Sequence, residues 1–97
     1  MTIKKLAYAP YAQAHVEIDK AGNIHLFSYR TLVCCIDKDG WLTCTGLYSA
    51  TTRKYIGYFM REYVTYPNGA HGTYQDAKRC YYDNVRFNVN TGEVEDL

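Results

Sequence analysis

Apolar and polar residues alternate from Ala14 onward: Val16 and Ile18 are apolar, Asp19-Lys20-Ala21-Gly22-Asn23 supplies turn chemistry, and Ile24 and Leu26 resume the alternation. This pattern predicts a hairpin. A loop of five residues sets Ile18 opposite Ile24 and Val16 opposite Leu26, so that all four share one face. His15, Glu17, His25 and Phe27 then occupy the other. A second hairpin is expected from Thr31–Asp37 and Trp41–Gly46, joined by Lys38-Asp39-Gly40 with glycine where such a loop needs a left-handed residue. Only this register gives a continuous apolar face, with Ile36 against Leu42 and Cys34 against Cys44.

The period changes from two to 3.6 after Ser49. Thr52, Tyr55, Ile56, Phe59, Met60 and Tyr63 form one helical stripe, and Ser49 is a favourable N-cap. The turn-rich stretch Tyr66–Gly72 ends that helix. Thr73, with Asp76 three residues later, marks the capping box of a shorter helix running to about Tyr82. Val85, Phe87 and Val89 alternate as a last strand. Asn90-Thr91-Gly92 then turns the chain, and Glu93–Leu97 reads either as a short returning strand or as a frayed acidic tail. The segment up to Gln13 shows no decisive pattern. Strands, then helices, then a strand, without repeated strand-helix alternation, predict an α+β fold: an antiparallel sheet of four to five strands with two helices packed on one face.

Length and composition narrow the function classes. A chain of 97 residues suits one domain spanning 1–97, because halves of that length would bury too little apolar surface. No apolar run reaches the length of a membrane span. The N-terminus MTIKKLAYAPYAQAH has no sustained apolar core or secretory cleavage site, which predicts a cytoplasmic protein. In that compartment Cys34, Cys35, Cys44 and Cys80 are expected to be thiols. A formal net charge of +1 excludes a general electrostatic pull toward nucleic acid or membranes, so any such binding must be local. The 11 tyrosines are the compositional outlier, and tyrosine is a residue type enriched at protein interfaces.

Three constellations carry candidate chemistry. At the start of the first helix, Ser49, Thr51 and Thr52 gather hydroxyls beside free backbone N–H groups, followed by Arg53 and Lys54. This is an anion-binding pattern, set against the plainer reading of a capped helix with two solvated bases. On the exposed face of the same helix, Lys54, Tyr58 and Arg61 fall at i, i+4 and i+7, with Arg53 and Gly57 beside them. Tyrosine between cations suits an acidic protein surface or a stacked base. Third, Cys34 and Cys44 as cross-strand neighbours, joined by Cys35, Cys80, His25 or His71, would make a zinc site; His15, Glu17 and His25 form a second possible set. The spacing lacks the C-x2-C pairs of structural zinc modules, so no metal ligands are assigned and no cofactor is expected, zinc being the one candidate. No phosphate loop or local nucleophile motif is present, and no enzymatic activity is expected.

The segments Ser28-Tyr29-Arg30-Thr31-Leu32-Val33, Tyr48–Ile56 and Phe87–Val94 resemble a pattern found in small uncharacterised domains encoded by bacteriophages and other mobile elements. This resemblance implies a setting in which small proteins bind and block a host defence component, anti-CRISPR proteins being the best-known class. The reading that follows is a non-enzymatic inhibitor of a host protein, such as a CRISPR effector nuclease, acting by direct contact. The alternatives are a small nucleic-acid-binding protein and a zinc-stabilised interaction domain.

Overall fold

Hairpin chemistry organises the sheet. A computed structural model describes residues 1–97. It contains β1 (Thr2–Lys4), β2 (Ala14–Ile18), β3 (Ile24–Ser28), β4 (Thr31–Ile36), β5 (Trp41–Cys44), α1 (Ala50–Tyr63), α2 (Tyr74–Asp83), β6 (Val85–Asn88) and β7 (Val94–Asp96). The strands form one sheet in chain order, and each neighbouring pair is antiparallel. Val16 pairs with Leu26 and Ile18 with Ile24, while Cys34 pairs with Cys44 and Ile36 with Leu42, in the registers predicted.

The sheet has seven strands where four to five were expected. The additions are β1 and β7, each three residues long and exposed throughout; β1 falls in the segment without a decisive pattern, and β7 is the short returning strand, one of the two readings of Glu93–Leu97. Their backbones are recruited by the edges of β2 and β6. Between β3 and β4 the register slips after Leu26, a bulge that leaves Val33 between Leu32 and Cys34 without a partner of its own. Val33 and Cys34 are consequently both fully buried. The strand expected to reach Val89 stops at Asn88, whose Oδ1 accepts from the N–H groups of Asn90 and Thr91 and bends the chain away.

Both helices are closed by the local chemistry of their flanks. Ser49 Oγ accepts from Thr52 N at 3.2 Å, and α1 ends where Val64 N–H reaches Met60 O. In α2, Asp76 Oδ2 accepts from Thr73 N at 3.0 Å, and Asn84 supplies the left-handed C-cap at φ 52°. Val16, Leu26, Cys34 and Leu42 from the sheet and Ile56, Phe59, Met60, Ala77 and Cys80 from the helices form one buried cluster. A buried hydroxyl pair, Ser28 Oγ to Thr52 Oγ1 at 2.8 Å, ties α1 to β3. Gly72 closes the link between the helices: a Cβ there would lie 2.7 Å from Val64 Cβ, and Gly72 N donates to Val64 O. Neither helix is long and apolar enough to cross a membrane.

Candidate interaction surface

The segment before β2 acquires its place from two small anchors. Leu6 and Ala9 point into the core and are buried, and Ala9 N and Ala12 N close successive turns onto Leu6 O and Ala9 O. Ala7 N donates to Glu62 Oε1 at 2.6 Å, pinning the segment to the end of α1. With Leu6 and Ala9 turned inward, Tyr8 and Tyr11 are left outward, and Tyr11 is 88% exposed. The segment thereby lies along the face of α1 that carries the predicted stripe.

Lys54, Tyr58 and Arg61 are joined there by a fourth member. Tyr8 stacks on Tyr58 with ring centroids 6.3 Å apart and 26° between planes. Arg61 lies over the Tyr8 ring at 5.2 Å, and Lys54 Nζ stands 6.0 Å from the Tyr58 centroid. The order Lys54, Tyr58, Tyr8, Arg61 is a ladder of cations and aromatic rings at the outer range of cation–π attraction. Arg53, Lys54 and Arg61 are exposed, and none of them forms a salt bridge. Glu62 is the only acid of α1, so the helix carries three bases against one carboxylate. Beside the ladder, Tyr11, Gln13, Thr51, Lys54, Tyr55 and Tyr58 line a cleft of about 240 Å³.

The hydroxyls of the predicted anion site separate. Thr52 is buried, with Oγ1 bonded to Ser28, and Ser49 Oγ is occupied by Thr52 N and lies 3.3 Å from Thr52 Oγ1. Thr51 alone faces the cleft, alongside Lys54. Gly57, placed beside the stripe by its spacing, faces α2, where an added Cβ would stand 3.6 Å from Tyr74 Cβ.

Cys80 approaches the Cys34–Cys44 pair, but no histidine joins them in a metal-binding group. Cys34 and Cys44 are cross-strand partners, whereas Cys35 pairs with His25 in the neighbouring register, where the alternation turns it to the opposite face. No three His, Cys, Asp or Glu side chains gather closely enough to hold a metal ion. Contact with Cys44 and burial hold the Cys34 thiol well above its ordinary range, and burial pushes Cys80 up to about 11. Both are thiols at neutral pH. His15 Nε2 donates to Glu17 Oε2 at 2.8 Å and its ring stacks flat on Phe27 at 5.0 Å, which accounts for His15 and Glu17 of that outer-face set as a packing motif.

Sequence reasoning missed Tyr8, because no periodicity links residue 8 to residue 58. The available signal was the spacing of Leu6 and Ala9, three residues apart as on one side of a turn. No curated protein and no solved structure matches the chain. Residues 3–82, which include every member of the ladder and stop before β6, match the model of a family of unknown function, DUF8033, and the chain belongs to that family.

Proposed function

We propose that the protein is a non-enzymatic binding module that docks on an acidic surface of another protein through the ladder of Lys54, Tyr58, Tyr8 and Arg61. The observation that carries this reading is the set of cations without carboxylate partners, interleaved with tyrosines and bordered by a cleft. Rigid aromatic rings contribute contact area at small entropic cost, and cations held over them are already oriented for a partner's carboxylates. A host defence protein, such as a CRISPR effector nuclease, is the partner implied by the sequence resemblance and the first to be tried.

The test is affinity capture of tagged protein from bacterial lysates, with and without nuclease treatment and with effector-expressing lysates included, followed by measurement of Kd for the recovered partner. Replacing Lys54, Tyr58 and Arg61 together with alanine is expected to weaken binding more than about tenfold while the melting temperature stays within a few degrees. Unchanged affinity removes the ladder as the contact. A partner lost on nuclease treatment, with affinity falling steeply as salt rises, replaces this reading with nucleic-acid binding through the same cations.

A further inference from the structure

A second concavity lies on the α2 side of the molecule. The loop after α1, α2, β6 and the start of β7 enclose a cavity of about 370 Å³, a size that accommodates a small ligand. Cys80 and Val85 are buried in its lining, Tyr66 and Phe87 meet edge to face at 5.7 Å, and Val94 closes one side. The exposed surface of the lining is thus mostly apolar and aromatic, with two charged residues, Asp76 and Arg79, set among it.

Asp76 is only partly engaged. Tyr66 Oη donates to its Oδ2 at 2.7 Å, and Thr73 N and Thr73 Oγ1 direct their hydrogen bonds to that same oxygen. Oδ1 accepts no hydrogen bond from the protein. The Tyr66 hydroxyl, having donated its proton, keeps an oxygen that can accept. Burial and the neighbouring Asp76 hold its phenol well above the usual range, so it stays protonated. Arg79, exposed at the edge of the cavity, pairs with Asp83 at 3.6 Å and forms no salt bridge with Asp76. A carboxylate with one free oxygen between aromatic walls calls for a donor with a hydrophobic body.

We infer that this cavity is a binding site for a small amine, an aromatic or similarly apolar body carrying a protonated nitrogen that donates to Asp76 Oδ1. The ring of such a ligand packs against Tyr66, Phe87 and Val94, and its nitrogen replaces water on the free oxygen. The charge-assisted bond selects cationic nitrogen over a carboxylate of the same shape. The site is separate from the ladder and stands independently of the function proposed for it.

Tryptamine is the probe, with indole-3-propionate as its charge-reversed analogue, each titrated into ¹⁵N-labelled full-length protein and followed by ¹H–¹⁵N spectra. Tryptamine is expected to move the resonances of Tyr66, Cys80 and Val94 saturably with Kd on the order of 1 mM, the range open to a ligand of that size. Indole-3-propionate should bind at least about tenfold more weakly. Val94→Trp, at an exposed edge position, fills the cavity and should abolish the shifts; Asp76→Asn should weaken tryptamine by about fivefold or more. Because Asp76 also caps α2, the Val94→Trp arm decides the location should Asp76→Asn fail to fold. Absence of saturable shifts up to about 10 mM, equal binding of the two probes, or undiminished binding by Val94→Trp overturns the inference.

Discussion

The ladder on α1 and the cavity beside α2 are opposite kinds of surface. One is convex, basic and written mostly along a single helix; the other is concave, holds a carboxylate, and draws on four separate segments. The family match sharpens the contrast, since it covers every residue of the ladder but ends at residue 82, before the β6 and β7 walls of the cavity. A surface set by i, i+4, i+7 spacing can be read from sequence, because helical geometry alone fixes which side chains are neighbours. A cavity closed by a meander strand and a loop cannot, because its geometry exists only after the sheet has formed.

The variant with the largest expected effect breaks the joint between the two regions. Gly72→Val places a Cβ 2.7 Å from Val64 Cβ and 3.0 Å from Met60 O, and the backbone carbonyl cannot rotate aside. A loss of about 3 kcal/mol in chemical denaturation is expected, at the upper end for overpacking. A loss under about 1 kcal/mol would mean that the loop 65–72 yields, and that the ladder and the cavity are not held by this contact.

Next comes a pH dependence to which the cavity side contributes through Cys80. Cys80, pushed up to about 11 by burial, keeps its proton in the folded state where the unfolded thiol, near 9, has lost it. The unfolded state then binds fewer protons than the folded one, so stability is complete below pH 9 and declines as pH rises from 9 toward 11. Denaturation midpoints between pH 8 and 10.5 measure this slope. In Cys80→Ala the slope should flatten by the Cys80 share while Cys34 and Cys35, also raised, retain theirs; an unaltered slope would place the dependence on Cys34, Cys35 and the tyrosines. On the ladder side, Tyr8→Ala is expected to weaken partner binding by about 1 kcal/mol, roughly fivefold, without changing stability by more than about 0.5 kcal/mol. Equal affinity would restrict the contact to the three residues of α1.

The legible parts of the fold share one property: their determinants are local or are fixed by burial of a whole face. Val16 against Leu26 and Cys34 against Cys44 followed from requiring one apolar face. Ser49, and Thr73 with Asp76, were identifiable because a cap is a hydrogen bond within three residues. Illegible were β1, whose exposed residues gain order only from an existing edge, and the bulge at Val33, which depends on the pairing of β4 with two neighbours, while β7 is one of the two readings open for Glu93–Leu97. For the site, the stripe Lys54, Tyr58 and Arg61 was visible and Tyr8 was not. The hydroxyls of Ser49 and Thr52 looked available for an anion in sequence, yet core packing commits Thr52 to Ser28.

Two tyrosines carry the comparison to its smallest scale. Tyr66, in the cavity, donates to Asp76, whereas the Tyr63 hydroxyl at the end of α1 is buried and makes no hydrogen bond of good geometry, and burial together with the neighbouring Glu62 carboxylate pushes its ionisation up to about 12. An orphaned buried hydroxyl opposes folding, while a hydroxyl bonded to a carboxylate favours it. Tyr66→Phe is therefore expected to cost about 1 kcal/mol, and Tyr63→Phe to be neutral or to stabilise by up to about 1 kcal/mol, both read from denaturant midpoints at pH 7. Tyr63→Phe keeps the ring that packs 5.2 Å from Phe59, so the difference between the variants isolates the hydroxyls. Should both destabilise equally, the Tyr63 hydroxyl has a partner in solution, and the asymmetry between the end of α1 and the cavity lies in the ladder and the carboxylate alone.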